Sequence, residues 1–297
     1  MPAAPSAPPH IRRVGVVTKN GLHAATAVLA ELHAWLTARG IDVLYSTETS
    51  EVAGISGGIP RSAIAAAVDL VIVLGGDGTL LSMAGRIAES GRDVPLVGVN
   101  FGSLGFLTEV RVEELFVTLE AVLDGTAVED ERLLLEAHAE RAGQAPDSRI
   151  VLNDVVFTKA ALSRIIELTV SVSGMFVTRV KADGLIIASP TGSTAYNLAA
   201  GGPIVHPVVD ALVVTPIAAH TLTNRPIVVP GSATVEIRPI ADGEDQVLVT
   251  YDGQSGYTLR TGDVVRVSRS PRRLRLLKAG ERSYYDLLRE KLKWGER

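Results

Sequence analysis

The pattern of apolar and polar positions predicts strands alternating with helices over residues 11–128. Leu70–Leu74 is an unbroken apolar run, which is typical of a strand buried on both faces. Three similar segments predict further strands: Ile11–Thr18, Ile41–Tyr45 and Pro95–Asn100. Helical spacing predicts helices at Leu22–Arg39, Ser62–Val68, Leu80–Glu89 and Val112–Leu123, and the glycines of Glu51–Ile59 predict a loop. This alternation is typical of an α/β domain with a doubly wound, mostly parallel sheet.

The pattern changes within Asp124–Arg132, after which strand-like segments follow one another with little helix between them. We therefore predict an all-β domain over residues 129–270. Its predicted strands are Ile150–Phe157, Ile165–Ser173, Met175–Lys181, Leu185–Ala188, Ile227–Val229, Thr234–Arg238, Gln246–Tyr251 and Val264–Ser268. In the closing segment, residues 271–297, helical spacing returns at Ser283–Trp294, and the first domain is the candidate surface for that helix to pack on.

Composition narrows the class of protein. The chain has 297 residues, which suits two domains, and it contains no cysteine, which excludes disulfides and thiolate catalysis. Its six histidines form no metal-spaced cluster, and its net charge of −4 argues against broad nucleic-acid binding. Met1–His10 is rich in proline and alanine, so we expect a disordered tail rather than a signal peptide. With no apolar run of membrane-spanning length, we expect a cytoplasmic protein.

A glycine-rich turn follows the Leu70–Leu74 strand and precedes the next helix. It reads Gly75-Gly76-Asp77-Gly78-Thr79, and a helix N-terminus entered through glycines presents backbone N–H groups to an anion such as phosphate. The carboxylate of Asp77 would repel a phosphate unless it bound a metal or accepted a proton from an attacking hydroxyl. The alternative is an ordinary Asp-Gly turn that binds nothing. The turn is neither a Walker A loop nor a dinucleotide fingerprint.

A second group of candidate residues lies in Asp183–Pro207. Small residues there would let a planar ring approach the backbone, Tyr196 could stack on it, and nearby hydroxyl and amide groups (Thr191, Ser193, Thr194 and Asn197) offer hydrogen bonds. The alternative is a Ser/Thr-rich turn that caps the following helical segment. Asn153-Asp154 lies among apolar residues, so these polar groups need a ligand or a network. Tyr251–Gln254 ends a predicted strand and is typical of a hairpin turn, with a part of the binding site as the alternative interpretation.

Taken together, these residues resemble the NAD kinase family from Asp69 onward. The resemblance rests on Gly75–Thr79, Asn100–Leu107, Asn153-Asp154, the long Asp183–Pro207 block, Thr223–Pro226, Asp252–Gln254 and Lys291–Gly295. The first motif alone is shared with diacylglycerol and sphingosine kinases, whereas the Asp183–Pro207 block is much more specific.

The resemblance implies an α/β domain joined to a β-sandwich-like domain, with the C-terminal helix packed on the first and the sites in the cleft between them. It also implies transfer of the terminal phosphoryl group of ATP, or of polyphosphate in some members, to the 2′-hydroxyl of the adenosine ribose of NAD. A divalent ion, Mg²⁺ by preference, would be carried with ATP and few protein ligands. A homodimer or homotetramer would be expected.

The resemblance also implies roles for individual residues. Asp77 corresponds to the general base, Gly78 lies beside the NAD ribose, and the turn (Gly75, Gly76, Gly78 and Thr79) cradles nucleotide phosphates. The remaining NAD contacts implied are Phe106, Asn153, Asp154, Arg164, Lys181, Asp183, Thr194, Ala195, Tyr196, Asn197, Leu198, Ala199 and Gln254. Two positions depart from the family pattern: Asp154 replaces the usual glutamate, and Ser82 replaces an arginine that many relatives carry.

Two other functions stay open at this point. A lipid kinase would share the glycine turn but would need an apolar cleft, which the hydroxyl-rich Thr191–Asn197 segment does not suggest. A non-catalytic NAD-binding module would need no base, and the presence of Asp77 argues against it.

Overall fold

The computed structural model describes residues 11–159, 165–221, 223–240, 247–280 and 282–295. The described chain divides into two units. The first comprises the described residues of Met1–Glu131 and Leu274–Arg297, and the second comprises those of Arg132–Arg273. The predicted tail at residues 1–10 and the candidate residue Arg164 lie outside the described residues.

The secondary-structure elements alternate in the first part of the chain and are mainly strands afterwards. The strands are β1 (Arg13–Thr18), β2 (Asp42–Tyr45), β3 (Leu70–Leu74), β4 (Leu96–Asn100), β5 (Val110–Arg111), β6 (Val128–Glu140), β7 (Asp147–Val151), β8 (Asp154–Lys159), β9 (Ile166–Val172), β10 (Met175–Ala182), β11 (Gly184–Ala188), β12 (Ala211–Ile217), β13 (Ile227–Pro230), β14 (Val235–Ile240), β15 (Val247–Tyr251), β16 (Ser255–Leu259) and β17 (Val264–Lys278). The α-helices are α1 (Thr26–Thr37), α2 (Thr47–Ala53), α3 (Arg61–Ala67), α4 (Asp77–Ser90), α5 (Leu115–Leu123), α6 (Tyr196–Ala199) and α7 (Tyr284–Leu292). Short 3-10 helices lie at His23–Ala25, Val112–Glu114 and Thr191–Thr194.

The first unit is built on a parallel sheet with helices on both faces. Strands follow the order β4-β3-β1-β2, with β5 beside β4, and the end of β17 joins at Leu276, which pairs with Leu96. Side chains alternate across this sheet. Leu70, Ile72 and Leu74 pack in one core with residues of α1 and α5. The predicted doubly wound α/β sheet is therefore confirmed.

Glycines let two helices approach the opposite face of the same sheet. An added β-carbon on Gly15 of β1 would lie 2.6 Å from Ile64 of α3. One on Gly98 of β4 would lie 2.5 Å from Leu80 of α4. Both distances are too short for a real side chain, so the missing β-carbons set how closely α3 and α4 pack.

Two local predictions for this unit are wrong. The segment Glu51–Ile59 is not all loop, because its first residues belong to α2, whose N-cap Ser46 accepts a hydrogen bond from the backbone N–H of Thr49 at 3.3 Å. The helix after the glycine turn begins at Asp77 rather than at Leu80. This second correction places the candidate base within the first helical turn.

The second unit is a pair of antiparallel sheets that share one core. One sheet follows the order β10-β9-β14-β17, and the other the order β13-β12-β11-β8-β15-β16. Leu168 and Val235 from the first sheet pack with Phe157, Leu185 and Val249 from the second. Side chains alternate along the strands of the second sheet, so those between the core residues lie on its other face, where Ile186 packs against Val205. The predicted sandwich is confirmed, and Ala200 and Val205, which follow β11 in the Asp183–Pro207 segment, pack on the outer face of its second sheet.

The C-terminal helix α7 belongs to the first unit, as predicted. Its capping box joins Ser283 and Asp286. Farther along the helix, the Arg111 side chain donates a hydrogen bond to Glu290 at 3.5 Å. The Lys291 ammonium lies 6.0 Å from the centre of the Phe106 ring. The segment that leads to α7 is held by a largely buried ion pair, in which Lys278 Nζ lies 2.7 Å from a carboxylate oxygen of Glu109.

Candidate active site

The glycine turn leaves the N-terminus of α4 open. Gly76 is the N-cap residue, and within the described chain no side chain caps the helix there. Added β-carbons on Gly76 and Gly78 would meet nothing within 4 Å among the described atoms, whereas one on Gly75 would lie 2.9 Å from Thr79 Oγ1 and 3.2 Å from Lys19 Cβ. Gly75 is therefore required for packing, and the other two glycines keep the approach to the first N–H groups free. This geometry suits a phosphate.

Asp77 does not project freely into solvent. Its Oδ2 accepts a hydrogen bond from the backbone N–H of Phe106 at 2.7 Å. Its Oδ1 accepts from the N–H of Leu107 at 3.1 Å, and from the N–H and hydroxyl of Thr108, each at 3.0 Å. The side chain is half-buried, and these donors fix its orientation. The carboxylate is thus held in one place beside an uncapped helix N-terminus.

Asn100 and Phe106 lie near Asp77 at the same edge of the sheet. Asn100 is the last residue of β4, which pairs in parallel with β3 through Leu74 and Val99. Phe106 is half-buried and adjoins both Asp77 and α7. No local sequence pattern gave a role to Gly105 or Thr108, which complete this group, because their contacts depend on how the strands pair. The one available signal was that both lie in the quoted Asn100–Leu107 segment or directly after it.

In the second unit, the Asn153-Asp154 pair is held by Asp252. The carboxylate of Asp252 accepts from the backbone N–H groups of Leu152 and Asn153, each at 2.8 Å, and of Asp154 at 3.0 Å. Asp252 itself has a positive φ of 51°, an uncommon conformation that this network supports. The predicted strand Ile150–Phe157 is wrong as one element, since β7 ends at Val151 and β8 begins at Asp154.

Burial raises the pKa of the carboxyl groups of both Asp154 and Asp252. The pKa of Asp154 rises to about 7 because the side chain is buried and because the charge of Asp252 lies nearby. The pKa of Asp252 rises to about 6, also through burial, while its three backbone hydrogen bonds oppose the rise. Asp154 therefore exchanges its proton near neutral pH. In its protonated form it can donate a hydrogen bond to a ligand, and in its ionised form it can only accept one.

The Thr191–Ala199 segment uses part of its polar groups internally. The fully buried Asn197 amide donates to the carbonyls of Ser193 at 2.9 Å and Pro203 at 3.0 Å, and accepts from the Thr215 hydroxyl at 2.6 Å. Ser193 Oγ is bonded to the backbone of Pro190 and Val205. These two side chains use their polar groups to hold the loop together. Any contact that these two residues make to a ligand would therefore come from their backbone groups. The capping-turn alternative is not supported, because the N-cap of α6 is Ala195 and no side chain caps that helix among the described residues.

Other residues of this segment stay available to a ligand. Tyr196 is 44% exposed, and Thr194 and Ala195 are half-buried. The Thr191 hydroxyl is buried, and within the described part of the chain it has no hydrogen-bond partner. A buried hydroxyl in this state is costly, so it is a natural donor or acceptor for a bound molecule. In the sequence, Thr191 was recognisable only as one of several hydroxyl-bearing residues.

Three further candidate residues lie elsewhere in the second unit. Asp183 is partly exposed and accepts from Lys159 Nζ at 2.9 Å. Lys181 Nζ lies 3.1 Å from a Glu167 carboxylate oxygen. Gln254 is exposed in the turn after β15, and its backbone N–H donates to Tyr251. The structure therefore places Lys181 and Asp183 in ion pairs that a ligand would have to share or replace.

Two family models match the chain and together cover most of it. The ATP-NAD kinase N-terminal domain matches residues 14–127, and the ATP-NAD kinase C-terminal domain matches residues 152–279. The chain belongs to the NAD kinase family. It is therefore an enzyme of the phosphotransferase class.

Similar proteins agree with this family over nearly the full length. The chain is 45% identical to a NAD kinase of Geotalea daltonii and 46% identical to one of Geobacter sulfurreducens, covering 97% of this chain and 100% of each relative. A yeast NADH kinase solved with NADH shares the fold at a TM-score of 0.87 and 24% identity, over 97% of this chain and 89% of that one. A NAD kinase from Archaeoglobus fulgidus solved with ATP gives a TM-score of 0.75 and 23% identity, over 95% and 100%.

In the ranges that the structure covers, no group of three or more His, Cys, Asp or Glu side chains could hold a metal ion. None of the described helices is long and apolar enough to cross a membrane. Ser82 lies in the second turn of α4 and brings no positive charge to the glycine turn.

Proposed function

We propose that this enzyme transfers the terminal phosphoryl group of ATP to the 2′-hydroxyl of the adenosine ribose of NAD, with Asp77 as general base. The ribose oxygen forms a new bond to the γ-phosphorus, the bond from that phosphorus to the bridging oxygen breaks, and ADP leaves. Asp77 accepts the hydroxyl proton. Phosphoryl transfer depends mainly on positioning and charge stabilisation, and a well-placed base contributes about 10²–10⁴-fold.

The observation that carries this proposal is the fixed carboxylate at an open helix N-terminus. Asp77 is oriented by the N–H groups of residues 106–108, and Gly76 and Gly78 leave room for a phosphate beside it. The N–H groups of the first turn of α4 would hold the transferred phosphate through hydrogen bonds and the helix dipole. A divalent ion, Mg²⁺ by preference, would be carried by the phosphate oxygens of ATP and would neutralise their charge.

We assign the recognition of NAD to the remaining residues implied by the family. Phe106 offers an aromatic face in the first unit. In the second unit the polar contacts fall to Asn153, Asp154, Lys181, Asp183 and Gln254, and adenosine contacts to the segment from Thr194 to Ala199. Arg164 belongs to the same proposal, although it lies outside the described residues. Because the pKa of Asp154 is about 7, this residue can both donate to and accept from a ribose hydroxyl at neutral pH.

The test is turnover of the purified full-length chain with NAD, ATP and MgCl₂. We expect NADP, detected by a dehydrogenase that accepts only NADP, with the new phosphate assigned to the 2′-oxygen by phosphorus NMR. In parallel reactions, polyphosphate replaces ATP, or NADH replaces NAD. In a third, a chelator is added, and it should stop the reaction by removing Mg²⁺. ATP consumption without NADP, or tight NAD binding without turnover, would contradict the proposal. Light scattering of the same sample tests the expected homodimer or homotetramer.

A further inference from the structure

A chain of hydrogen bonds leads from Asn100 through Thr108 to Asp77. The Asn100 side-chain nitrogen donates to the Thr108 hydroxyl at 2.9 Å and to the carbonyl of Ser103 at 2.7 Å. Its oxygen accepts from the backbone N–H of Gly102 at 2.5 Å. These three contacts define which end of the amide is nitrogen, since only a nitrogen can donate to the Ser103 carbonyl.

The orientation of the amide fixes the direction of the hydroxyl hydrogen. Thr108 Oγ1 accepts from Asn100, so its own hydrogen is free to point at Asp77 Oδ1, 3.0 Å away. Thr108 is fully buried and Asn100 is 8% exposed, which shields both bonds from competition with water. The hydroxyl is therefore a donor to the carboxylate rather than an acceptor.

The two oxygens of Asp77 differ as a result. Among the described residues, Oδ1 accepts three hydrogen bonds, from the Leu107 N–H and from the N–H and hydroxyl of Thr108. Oδ2 accepts one, from the Phe106 N–H. An oxygen that already accepts three bonds has little capacity for another, whereas Oδ2 keeps an open lone pair. Oδ2 is therefore the oxygen with room to accept a substrate proton.

We propose that Thr108 and Asn100 are positioning residues that make Oδ2 of Asp77 the proton-accepting atom. The inference rests on the proposed function, because it matters only if Asp77 is the base. Thr108 ties down Oδ1, and Asn100 keeps the Thr108 hydroxyl pointing at the carboxylate. Neither side chain needs to touch the substrate. Their effect is on the rate of proton transfer and not on the binding of NAD or ATP.

The experiment compares Thr108→Val with Thr108→Ser in the full-length enzyme. Valine keeps the shape and removes the hydroxyl, while serine keeps the hydroxyl. A hydrogen bond to a charged group corresponds to about a 10- to 100-fold effect, so we expect kcat of Thr108→Val to fall by about that factor. KM for NAD and for ATP should stay within about twofold of wild type. Thr108→Ser should recover most of the lost rate.

Two further variants separate positioning from folding. Thr49→Val makes the same chemical change at another buried threonine of the first unit whose hydroxyl is hydrogen-bonded, and it should leave kcat unchanged. Asn100→Asp keeps the shape but replaces both donors with acceptors and adds a negative charge, so the Thr108 hydroxyl turns toward residue 100 and kcat should fall while Thr108 is intact.

The outcomes distinguish this inference from the proposed function. Wild-type kcat in Thr108→Val or in Asn100→Asp would overturn the inference, as would equal losses in the valine and serine variants. If Asp77→Asn itself kept wild-type turnover, the assignment of the base would fail first. Loss in Asp77→Asn together with normal rates in the Thr108 variants would overturn the positioning role alone.

Discussion

The Oδ1 atom of Asp77 occupies the space into which a β-carbon on Gly105 would project. An ideal β-carbon at residue 105 would lie 1.9 Å from that oxygen and 2.4 Å from Thr108 Oγ1. Both distances are far below any real contact. The segment that follows β4 can therefore wrap around the carboxylate only because residue 105 has no side chain.

Gly105→Ala should damage catalysis more than stability. The added methyl must displace either the Asp77 carboxylate or the Thr108 hydroxyl, and a small misplacement of a catalytic group costs about 10²-fold in rate. We expect kcat for NADP formation to fall by about that factor, measured together with thermal unfolding.

The matched control is Gly85→Ala in α4. An added β-carbon there meets nothing within 4 Å among the described atoms, and Gly85 lies in the middle of the helix. This change should raise the free energy of unfolding by roughly 0.5–1 kcal/mol and leave kcat unaltered. Equal kinetic effects in the two variants would show that Asp77 and Gly105 are not coupled.

Asp77→Asn should lose activity and also loosen the segment that follows β4. Asparagine offers one oxygen instead of two, so its amide nitrogen would face an N–H of residues 106–108 and leave it unpaired. We expect a loss of about 10²–10⁴-fold in kcat. The free energy of unfolding should fall by about 1–3 kcal/mol, measured with urea.

Asp69→Ala separates these two effects, because alanine removes the one oxygen, Oδ2, that accepts both backbone hydrogen bonds of Asp69. The Asp69 carboxylate also accepts two backbone hydrogen bonds in the first unit, from Arg12 and Arg13, each at 3.0 Å, but it precedes β3 rather than following it. This variant should lose some stability and keep its kcat. Near wild-type turnover in Asp77→Asn would remove Asp77 from the role of base.

The elements that the sequence predicted best are those whose pattern has a single interpretation. Leu70–Leu74 has the same bounds in the sequence and in the structure, because a strand buried on both faces must be apolar at every position. The glycine turn was also found from the sequence, because three glycines so close together are uncommon and stand out after an apolar strand. Long helices with a regular apolar stripe, such as α1, were also predicted in place.

Elements that depend on distant partners were missed. The helix α2 is short and polar, and its cap at Ser46 is its only strong local signal. The strand β12 contains Pro216, which pairs with Leu185 of β11, although proline normally argues against a strand. The strand β6 begins with a charged stretch, which hides its alternation.

The candidate site likewise contains residues that the sequence reveals and residues that only the fold brings to it. Asp77 and Asn153-Asp154 are visible in the sequence because polar residues stand out among apolar ones. The residues that orient them are 31 positions away in one case, at Thr108, and 98 positions away in the other, at Asp252. Those partners are chosen by strand pairing, which no local pattern contains.

Thr118→Val should stabilise the first unit. The Thr118 hydroxyl in α5 is buried, and among the described residues it has no hydrogen-bond partner, so removing it relieves the cost of its lost hydration. We expect the free energy of unfolding to rise by about 1 kcal/mol in urea. Thr49→Val makes the same change where the hydroxyl accepts from the Thr18 N–H at 2.8 Å, and it should destabilise instead. The same sign in both variants would contradict this account.

The buried Asp154 carboxyl should make the second unit less stable as the pH rises. Its pKa is about 7 in the folded protein against an ordinary value of 3.8, so between these values the folded state holds a proton that the unfolded state has released. Stability is then fully present below about pH 4 and is lost as the pH rises toward 7. Asp252, with a pKa of about 6, contributes in the same direction.

Asp154→Asn isolates this contribution, because asparagine has the same shape and does not titrate. We expect the variant to gain stability over wild type between about pH 5 and about pH 8, by at most about 1.4 kcal/mol for each pH unit. The measurement is urea unfolding of both proteins at the two pH values, with equal m-values as the check on two-state behaviour. Because carboxylates with lowered pKa values, such as Glu236, have the opposite dependence, only the difference between variant and wild type reports on Asp154. A difference that does not change with pH would mean that Asp154 is ionised throughout this range.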